Sequence, residues 1–564
     1  MLKRSIPWYL SIPFLILLPF ITLVLVEWLQ GAQVDPLHLN FWINAMIYFG
    51  MTALVFALTR RVFLAAMIPM VLSCLLGAVN HFMIAMRGKA LLPWDLFALG
   101  TAQNVASGLA LKWDTALVVT VLSVLACGVA AWCMRRARLP RFSRAVAAVL
   151  AVLCLGGAWQ ILWDAPDSIS SDPWYTADAS KQNGMAANLM HNTKLLINLP
   201  PEGYSTARVR ETIGNGAQAG TRQPDIIVVM DETFSDLSHI ADLQTNADPI
   251  PFIHSLMSET VSGFTRVSVF GGGTCNTEYD FLTGNSSAML RPGCYPMVQF
   301  TTNDTPSIAQ TLRSRGYRTA GVHPFYPDGW NRDQAYPRLG FDRFYSIHDF
   351  NDPELVREYI SDRASFQKVL ALLDESAQPA FIFNVTMQNH SGYAKAFDNL
   401  EETITFPEME EFPQARRYLS LLAKTDTAVR ELVEALKQRE RPTILLFFGD
   451  HLPALEDGYY RMLQERAGIS DTQMDEKKHD VPFFIWANFP IEARQGLHIS
   501  ASFLAPLLLH TADAPMSAYQ SYLYRLMQQL PIIQNDGSAP ELGYRIAQHN
   551  MVFDLLGRQD DLFR

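Results

Sequence analysis

Residues 224–232 read PDIIVVMDE, in which five consecutive apolar residues are followed by two acids. A short apolar run of this kind, rich in β-branched residues, indicates a β-strand. Comparable runs recur downstream at residues 318–322, 381–385, 444–448 and 481–486. They alternate with helical patterns such as residues 307–315 and 413–439. This alternation predicts a single α/β domain with a largely parallel sheet over residues 224–564.

Acids and imidazoles follow four of these runs. They are Asp231 and Glu232 after the first, His323 after the second, Asn389 and His390 after the third, and Asp450 and His451 after the fourth. A single histidine after a strand is more often a cap or a solvated loop residue than a ligand. Open α/β sheets bind ligands at the carboxyl ends of their strands, so four such endings predict one shared crevice.

A candidate nucleophile lies in residues 269–286, VFGGGTCNTEYDFLTGNS. Three glycines precede Thr274, and the residues that follow it have the pattern of a first helical turn. Glycines allow tight backbone turns, and the exposed amides of a helix N-terminus attract anions. The hydroxyl of Thr274 is therefore expected to face a phosphate-binding site. The alternative is that Thr274 is only the N-cap of the helix.

A hydroxyl near neutral pH needs a base or a metal to become a good nucleophile. Glu232, Asp450 and His451 offer hard oxygen and imidazole ligands, and Thr274 would complete a set of four. Such a set suits one divalent cation such as Mn²⁺ or Zn²⁺. The residue pattern offers no second closely spaced set of His and Asp ligands, so a single metal is predicted.

The first third of the chain predicts a membrane domain over residues 1–163. Five apolar runs are long enough to cross a bilayer, and they cover residues 8–28, 41–58, 62–83, 115–133 and 145–163. Arginines and lysines concentrate before the first run, between the second and third, and between the fourth and fifth. The positive-inside rule then puts the N-terminus in the cytoplasm and the region after residue 163 outside. A cleaved signal peptide is the alternative for the first run, but no small-residue cleavage site follows it.

A polar stretch over residues 164–223 predicts an extracytoplasmic linker, with a short helix expected within residues 181–199. Cys275 and Cys294 are the only cysteines expected outside the membrane, so they are a candidate disulfide pair. Two buried thiols are the alternative. The net charge of −10 argues against nucleic acid as a partner.

Taken in order along the chain, these features resemble the lipoteichoic acid synthase and phosphoglycerol transferase family, sulfatase-like members of the alkaline phosphatase superfamily. The resemblance rests on Glu232 after a strand, Thr274 after three glycines, His323 with Trp330-Asn331-Arg332, Asn389-His390 and Gly449-Asp450-His451. It extends to the five spans, the linker and residues 92–96, LPWDL, which resemble a family loop. The resemblance implies an N-terminal five-helix transmembrane domain joined to an extracytoplasmic sulfatase-like domain.

The resemblance also implies roles for individual residues. Glu232, Thr274, Asp450 and His451 would be the metal ligands, and Thr274 also the covalent nucleophile. His323, Arg332 and His390 would hold the phosphate and head group, and either histidine could act as an acid or base. Trp330 would line the glycerol pocket, the alternative being an ordinary core aromatic. The metal would be Mn²⁺ in preference to Zn²⁺ or Mg²⁺.

The function implied by the family is transfer of phosphoglycerol from phosphatidylglycerol to an envelope glycan, through a phosphothreonine intermediate. The protein would be a multi-pass inner-membrane protein with a periplasmic catalytic domain. A phosphoethanolamine transferase is the nearest alternative, and a non-catalytic binding or regulatory protein is a further one. A true sulfatase is disfavoured, because neither Cys275 nor Cys294 has the C-x-P/A-x-R setting that formylglycine requires.

Overall fold

The computed structural model divides the chain into two compact units, residues 1–198 and 199–564. It describes residues 8–33, 35–87, 90–93, 95, 114–135, 137, 139–140, 142–164, 176–193, 198–290, 294–302, 305–375, 377–534 and 537–564. The first unit is built from helices, and the second contains the β-sheet.

The five predicted spans are confirmed as apolar helices long enough to cross a membrane. They are α1 (Trp8–Leu29), α2 (Leu39–Thr59), α3 (Val62–Arg87), α4 (Thr115–Met134) and α5 (Ser143–Asp164). Helices α2 and α5 pack closely because small residues face the contact. A Cβ added to Gly50 would lie 2.5 Å from Leu155 Cγ, so a larger residue there would push the two helices apart.

Part of the predicted linker is helical and belongs to the first unit. The short helix expected within residues 181–199 is present as α7 (Met185–Asn192), and a second short helix, α6 (Thr176–Asn183), precedes it. Gly184 separates them with a φ of 79°, a left-handed conformation that a continuous α-helix cannot contain. Of the family-like loop at residues 92–96, Trp94 and Leu96 lie outside the described residues. The division into domains at residues 163 and 223 stays a prediction.

Within its described residues, the second unit contains ten β-strands that form two separate sheets. Its strands are β1 (Asp225–Asp231), β2 (Val261–Arg266), β3 (Arg318–Val322), β4 (Arg343–Tyr345), β5 (Leu355–Val356), β6 (Tyr359–Ile360), β7 (Ala380–Val385), β8 (Thr443–Gly449), β9 (Asp480–Ala487) and β10 (Arg494–Ser500). Eight of them form the main sheet in the order β10-β2-β9-β8-β1-β7-β3-β4, and β5 pairs only with β6. All neighbours in the main sheet are parallel except β9, which is antiparallel to β2 and β8. The predicted largely parallel sheet is confirmed.

Helices cover both faces of the main sheet. They are α8 (Thr206–Ile213), α9 (Pro251–Glu259), α10 (Thr274–Thr283), α11 (Pro296–Gln299), α12 (Ile308–Arg313), α13 (Arg332–Arg338), α14 (Asp362–Asp374), α15 (Pro413–Lys437), α16 (Asp457–Ala467), α17 (Asp471–Lys477), α18 (Leu504–Thr511), α19 (Ala518–Met527), α20 (Ala539–Val552) and α21 (Asp560–Phe563). Successive β1 residues enter opposite cores: Val228 packs in one cluster and Val229 in the other. Burial on both sides explains why β1 is apolar throughout and does not alternate with polar residues.

Strands β8, β1, β7 and β3 are consecutive in the sheet and parallel to one another. Their carboxyl ends therefore lie side by side along one edge. Asp231 is the last residue of β1, and Asp450, Asn389 and His323 follow β8, β7 and β3 in the sequence. The fold therefore brings the polar residues predicted at the strand ends to one edge of the sheet.

Candidate active site

The acidic and imidazole groups after β1 and β8 converge. His451 Nε2 lies 3.2 Å from Asp450 Oδ2 and 3.8 Å from Glu232 Oε1. One ligand atom from each of these three residues lies within 4.8 Å of the others, and all three side chains are buried. Three of the four predicted metal ligands are therefore assembled by two adjacent strands of the sheet.

Thr274 is the first residue of α10, and its hydroxyl faces this cluster. Thr274 Oγ1 donates to Glu232 Oε2 at 3.2 Å. The alternative reading of Thr274 as an N-cap is wrong, because Gly273 occupies the cap position and no side chain caps the helix. Gly273 has a φ of 96°, and a Cβ there would lie 3.0 Å from Val269, so glycine is needed for the turn that presents Thr274.

The donor atoms of the cluster are oriented as metal ligands would be. Asp450 Oδ1 accepts from the backbone N–H groups of Thr233 (2.6 Å) and His451 (2.8 Å). His451 Nδ1 lies 2.9 Å from the Leu452 carbonyl and so donates to it, which leaves a lone pair on Nε2. Within the described residues, Asp450 Oδ2 and His451 Nε2 have no hydrogen-bond partner. Two acceptors 3.2 Å apart with no donor between them repel each other, and a shared cation would remove that repulsion. The donor set therefore fits a divalent metal.

The charges in this cluster affect one another. Burial raises the pKa of Asp450 to about 7, and the nearby carboxylate of Glu232 acts in the same direction. Burial also acts to raise the pKa of Glu232, but the positive charge of His390 and His451 when these rings are protonated, together with hydrogen bonds from Thr233 and Thr274, outweighs it and leaves that pKa lowered. Two buried carboxylates this close repel each other when both are ionised, so binding of a cation between them would be favourable.

Behind the cluster lies a second group of buried polar residues. Asn389 Nδ2 donates to Asp231 Oδ1 at 3.0 Å and to Thr425 Oγ1 at 2.9 Å. Thr425 Oγ1 in turn donates to Asp362 Oδ2 at 2.6 Å. Burial raises the pKa of Asp362 to about 7 and that of Asp231 well above its usual range. Asn389 and Asp231 thus support the strand ends from behind and do not face the cavity.

His323 and Arg332 form the opposite side of the site, and their contacts differ from the prediction. Both oxygens of Glu278 accept from Arg332 Nε, at 3.0 and 3.1 Å, and Arg332 Nη2 also donates to Glu278. Tyr336 donates to the same carboxylate at 2.6 Å. The guanidinium expected to clamp phosphate is therefore largely engaged by a buried carboxylate. Nothing in the sequence pattern distinguishes Glu278 from its neighbours in the first turn after Thr274.

The imidazole of His323 is fixed as a neutral ring. Its Nδ1 donates to the Val385 carbonyl at 3.0 Å, and its Nε2 accepts from Arg332 Nη1 at 3.0 Å. Burial and the adjacent Arg332 charge hold the pKa of His323 well below its usual value. A neutral ring with both nitrogens engaged cannot supply a proton to a leaving group, so His323 is a poor candidate for the acid role.

His390 is better placed to exchange a proton, because its side chain is only half-buried. The hydroxyl of Tyr359 lies 3.2 Å from its Nδ1. Arg357 Nη2 donates to the carbonyls of His390 (2.6 Å) and Gln388 (2.8 Å). The β5–β6 hairpin, which carries Arg357 and Tyr359, thus fixes both the backbone and the ring of His390. Nothing in the sequence pattern pointed to this hairpin.

Trp330 lies between the core and the cavity, and its role in glycerol binding stays a prediction. Its ring is half-buried, lies 4.7 Å from the Tyr295 ring and packs at the border of a core cluster. It also lines a cavity of about 170 Å³. Trp330 and Asn331 have φ values of 55° and 60°, a left-handed conformation that costs non-glycine residues energy and often marks functional sites.

The cavity brings together most of the predicted site residues. Its lining includes Glu232, Thr274, His323, Trp330, Arg332, His390 and His451. Asp450 lies directly behind His451 and is fully buried. Both cysteines of the candidate disulfide are buried, and their pairing stays a prediction. Cys275 is a buried thiol that donates to Asn276 Oδ1 at 3.5 Å, and Cys294 packs with Tyr279 and Leu290.

Comparison with known proteins places this site in a family context. The family model described as Sulfatase matches residues 224–514, slightly more than half of the chain. A Rhizobium meliloti protein named "Putative cyclic beta-1,2-glucan modification protein" is 29% identical over 453 residues, covering 74% of this chain and 69% of that protein. Lipoteichoic acid synthase 1 of Bacillus subtilis is 26% identical over 305 residues, covering 50% of this chain and 45% of that protein.

Among solved structures, the Streptococcus pyogenes phosphoglycerol transferase GacH, in complex with sn-glycerol-1-phosphate, is similar in fold. Its TM-score is 0.55 at 22% identity, and the match covers 65% of this chain and 99% of that one. The chain spans less than half the length of two curated relatives. They are lipoteichoic acid synthase 1 of Bacillus subtilis and a capsular polysaccharide biosynthesis protein of Rhizobium meliloti.

Proposed function

Because the chain belongs to the sulfatase family, as a lipoteichoic-acid-synthase-like member of the alkaline phosphatase superfamily, we propose that it moves phosphoglycerol from phosphatidylglycerol to an envelope glycan. Its similarity to lipoteichoic acid synthase 1 supports the broader activity of a membrane-anchored phosphotransferase. The finer assignment is that Thr274 carries the phosphoglycerol group as a covalent intermediate. The protein would lie in the inner membrane with its catalytic domain on the extracytoplasmic side.

One observation carries this proposal. The hydroxyl of Thr274 donates to Glu232, within a cluster whose two remaining acceptors, on Asp450 and His451, have no donor among the described residues. A nucleophile beside a ready cation site is the arrangement that attack on an anionic phosphodiester needs.

Glu232, Asp450, His451 and Thr274 would hold one divalent cation, Mn²⁺ in preference to Zn²⁺ or Mg²⁺. Bound there, it would lower the pKa of the Thr274 hydroxyl and screen the charge of the phosphodiester. The half-buried ring of Trp330 offers an apolar wall for the glycerol carbons. Support for glycerol comes from the fold shared with GacH, and support for a glycan acceptor comes from the glucan-modifying relative.

In the first half-reaction, Thr274 Oγ1 forms a bond to phosphorus, and the bond between phosphorus and the diacylglycerol oxygen breaks. The hydroxyl proton passes to Glu232 Oε2, which already accepts its hydrogen bond at 3.2 Å. Protonated His390 supplies a proton to the leaving alkoxide. Arg332, fixed by Glu278, and the neutral ring of His323 orient the phosphate without exchanging protons.

The second half-reaction reverses these transfers. An acceptor hydroxyl gives its proton to His390 and attacks phosphorus, while the bond between phosphorus and Thr274 Oγ1 breaks. Thr274 recovers its proton from Glu232. The enzyme thereby returns to its starting protonation state, and one phosphoglycerol group has moved from lipid to acceptor.

The test is intact-protein mass spectrometry after incubation with Mn²⁺ and phosphatidylglycerol or phosphatidylethanolamine. We expect a glycerophosphate adduct on Thr274 in the wild type and no adduct in Thr274→Ala. The control is Thr427→Ala, which removes an exposed threonine of α15 and should keep the adduct on Thr274. A phosphoethanolamine adduct would overturn the donor but keep the mechanism. The absence of any adduct in metal-loaded protein would contradict the covalent mechanism.

A further inference from the structure

Two adjacent leucines are exposed on the second unit, which contains the candidate active site. Leu556 is fully exposed and Leu555 is 50% exposed, in the turn that follows α20. Leu199, at the start of the same unit, is 74% exposed. Single exposed leucines are common on protein surfaces, whereas neighbouring ones mark a surface that contacts an apolar partner.

Hydrogen bonds hold the turn that carries the two leucines in one shape. Asp554 Oδ1 accepts from the Gly557 N–H at 2.9 Å, and Asn550 Nδ2 donates to the Gly557 carbonyl at 3.0 Å. The hydroxyl of Tyr204 donates to Asp554 Oδ2 at 2.6 Å. Because the polar groups of the turn bond to one another and to α20, the exposure of Leu555 and Leu556 is set by the fold.

This turn also lies beside the segment by which the chain enters the second unit. Tyr204 contacts the turn through its hydroxyl, and the centroid of its ring lies 4.7 Å from that of His549. An extended chain advances at most about 3.6 Å per residue, so Leu199 lies within roughly 18 Å of Tyr204. The residues before Leu199 belong to the unit that contains the five apolar spans. The exposed leucines are therefore near the end of this unit that is tied to the membrane.

Half-buried aromatic rings connect the same surface with the candidate active site. The ring of Phe553, two residues before Leu555, lies 5.4 Å from that of His549 and 5.2 Å from that of Phe300. Phe300 follows α11, and Tyr295 precedes it. The Tyr295 ring lies 4.7 Å from Trp330, which lines the cavity. Partly exposed aromatic rings are typical of surfaces that meet the boundary between water and lipid.

The charges beside the leucines are paired within the fold. Arg558 Nε donates to Asp560 at 2.7 Å, and Arg210 donates to both oxygens of Asp561, at 2.8 and 3.1 Å. These arginines are thus engaged, and apolar contact is the chemistry that the turn offers to a partner. Three leucine side chains cannot supply the roughly 800 Å² that each partner of a stable protein interface buries. A lipid surface needs no such area, because two apolar side chains can enter it directly.

We propose that Leu555 and Leu556 insert into the bilayer at the boundary between head groups and acyl chains. The partner is the apolar part of the lipid surface and not an anionic head group. The aromatic rings from Phe553 to Trp330 would then line the way of a donor lipid from the bilayer to the cavity. Only this purpose rests on the proposed function, and the contact with lipid does not.

The experiment places a fluorescent amino acid at position 556 of the full chain, reconstituted in phosphatidylcholine vesicles with or without brominated acyl chains. Bromine quenches a fluorophore that reaches the acyl region. We expect a loss of fluorescence at position 556 and none at position 427, an exposed position of α15. Helix α15 packs on the opposite face of the sheet from α20. Because Arg558 and Arg210 are paired, salt or added phosphatidylglycerol should leave the quenching unchanged.

A second measurement compares transfer from bilayer phosphatidylglycerol with transfer from a short-chain, water-soluble phosphatidylglycerol. In the variant that combines Leu555→Ser with Leu556→Ser, the ratio of the two rates should fall about tenfold, because the apolar contact with the bilayer is lost. Leu556→Met keeps an apolar side chain and should retain most of the ratio. Thr427→Ala is the control.

The lipid contact would be overturned by an unquenched fluorophore at position 556, or by equal quenching at position 427. A fluorophore at position 556 that is shielded from water but not quenched by bromine would indicate a protein partner instead. An unchanged ratio in the double-serine variant would overturn the role in lipid delivery. If the wild type transfers from neither donor while the quenching persists, the proposed function fails and the lipid contact stands.

Discussion

Two buried polar clusters line the cavity of the candidate site, and they differ in how fully their polar atoms are satisfied. On one side, Asp450 Oδ2 and His451 Nε2 lack any hydrogen-bond partner within the described residues. On the other, Arg332, Glu278 and His323 hold one another through short hydrogen bonds. Unsatisfied buried acceptors favour the binding of a ligand from outside the chain. A satisfied cluster is built to stay in one geometry.

The largest effect is expected from changing the unsatisfied cluster. Asp450→Asn replaces a carboxylate ligand by an amide and should lower transfer by on the order of 10³-fold, because metal stabilisation of several kcal/mol is lost. We also expect Mn²⁺ to raise the melting temperature of the wild type and not that of this variant. Asp475→Asn, an exposed acid on α17, is the control. A variant that keeps both activity and the metal-induced stabilisation would contradict the metal assignment.

The satisfied cluster is tested by Glu278→Gln. Arg332 would then keep a buried charge without its partner, which typically costs about 3–5 kcal/mol of stability. The matched control is Glu431→Gln, because Glu431 also pairs with an arginine through two hydrogen bonds (2.7 and 2.6 Å) but at the surface. That exposed pair should contribute under about 1 kcal/mol. Chemical denaturation of the full chain compares the two losses, and equal losses would contradict the assigned role of burial.

His323 gives the satisfied cluster a predictable pH dependence. Its pKa is lowered in the folded state, so below about pH 6.5 the unfolded chain binds a proton that the folded chain does not. This contribution to stability is present above that pH and is lost as the pH falls, with a slope of up to about 1.4 kcal/mol per pH unit. His323→Gln should remove this part of the slope in metal-free protein. An unchanged slope would mean that the ring is protonated in the fold.

The smallest effect is expected from Tyr359→Phe. It removes the hydroxyl that lies 3.2 Å from His390 Nδ1, a contact worth roughly 1 kcal/mol, so transfer should fall about fivefold. The loss should come with a changed pH–rate profile, because the hydroxyl orients the proposed acid and base. Tyr326→Phe, an exposed tyrosine, is the control. A lower rate with an unchanged profile would limit Tyr359 to a structural role.

The predictions that held depend on local patterns. The spans were found from apolar length, and β1, β3, β7, β8 and β9 from short apolar runs. Strands β2, β4 and β10 were missed. β10 is largely exposed and polar, β4 has three residues, and β2 contains Gly263, which allows the close approach of Leu497. None of these three carries the continuous apolar run by which the others were recognised.

The sequence by itself determined that the chain has five apolar spans and an α/β domain, and that acids and imidazoles follow four of its strands. Apolar length and periodicity are local properties, and parallel strands must end at a common edge. Only the tertiary structure decided which polar groups face each other. Glu278 meets Arg332 across 54 positions, and the Tyr359 hydroxyl meets His390 across 31. A hydrogen-bond partner is chosen by three-dimensional packing, so which residues bind, donate or stay neutral follows only once the chain has folded.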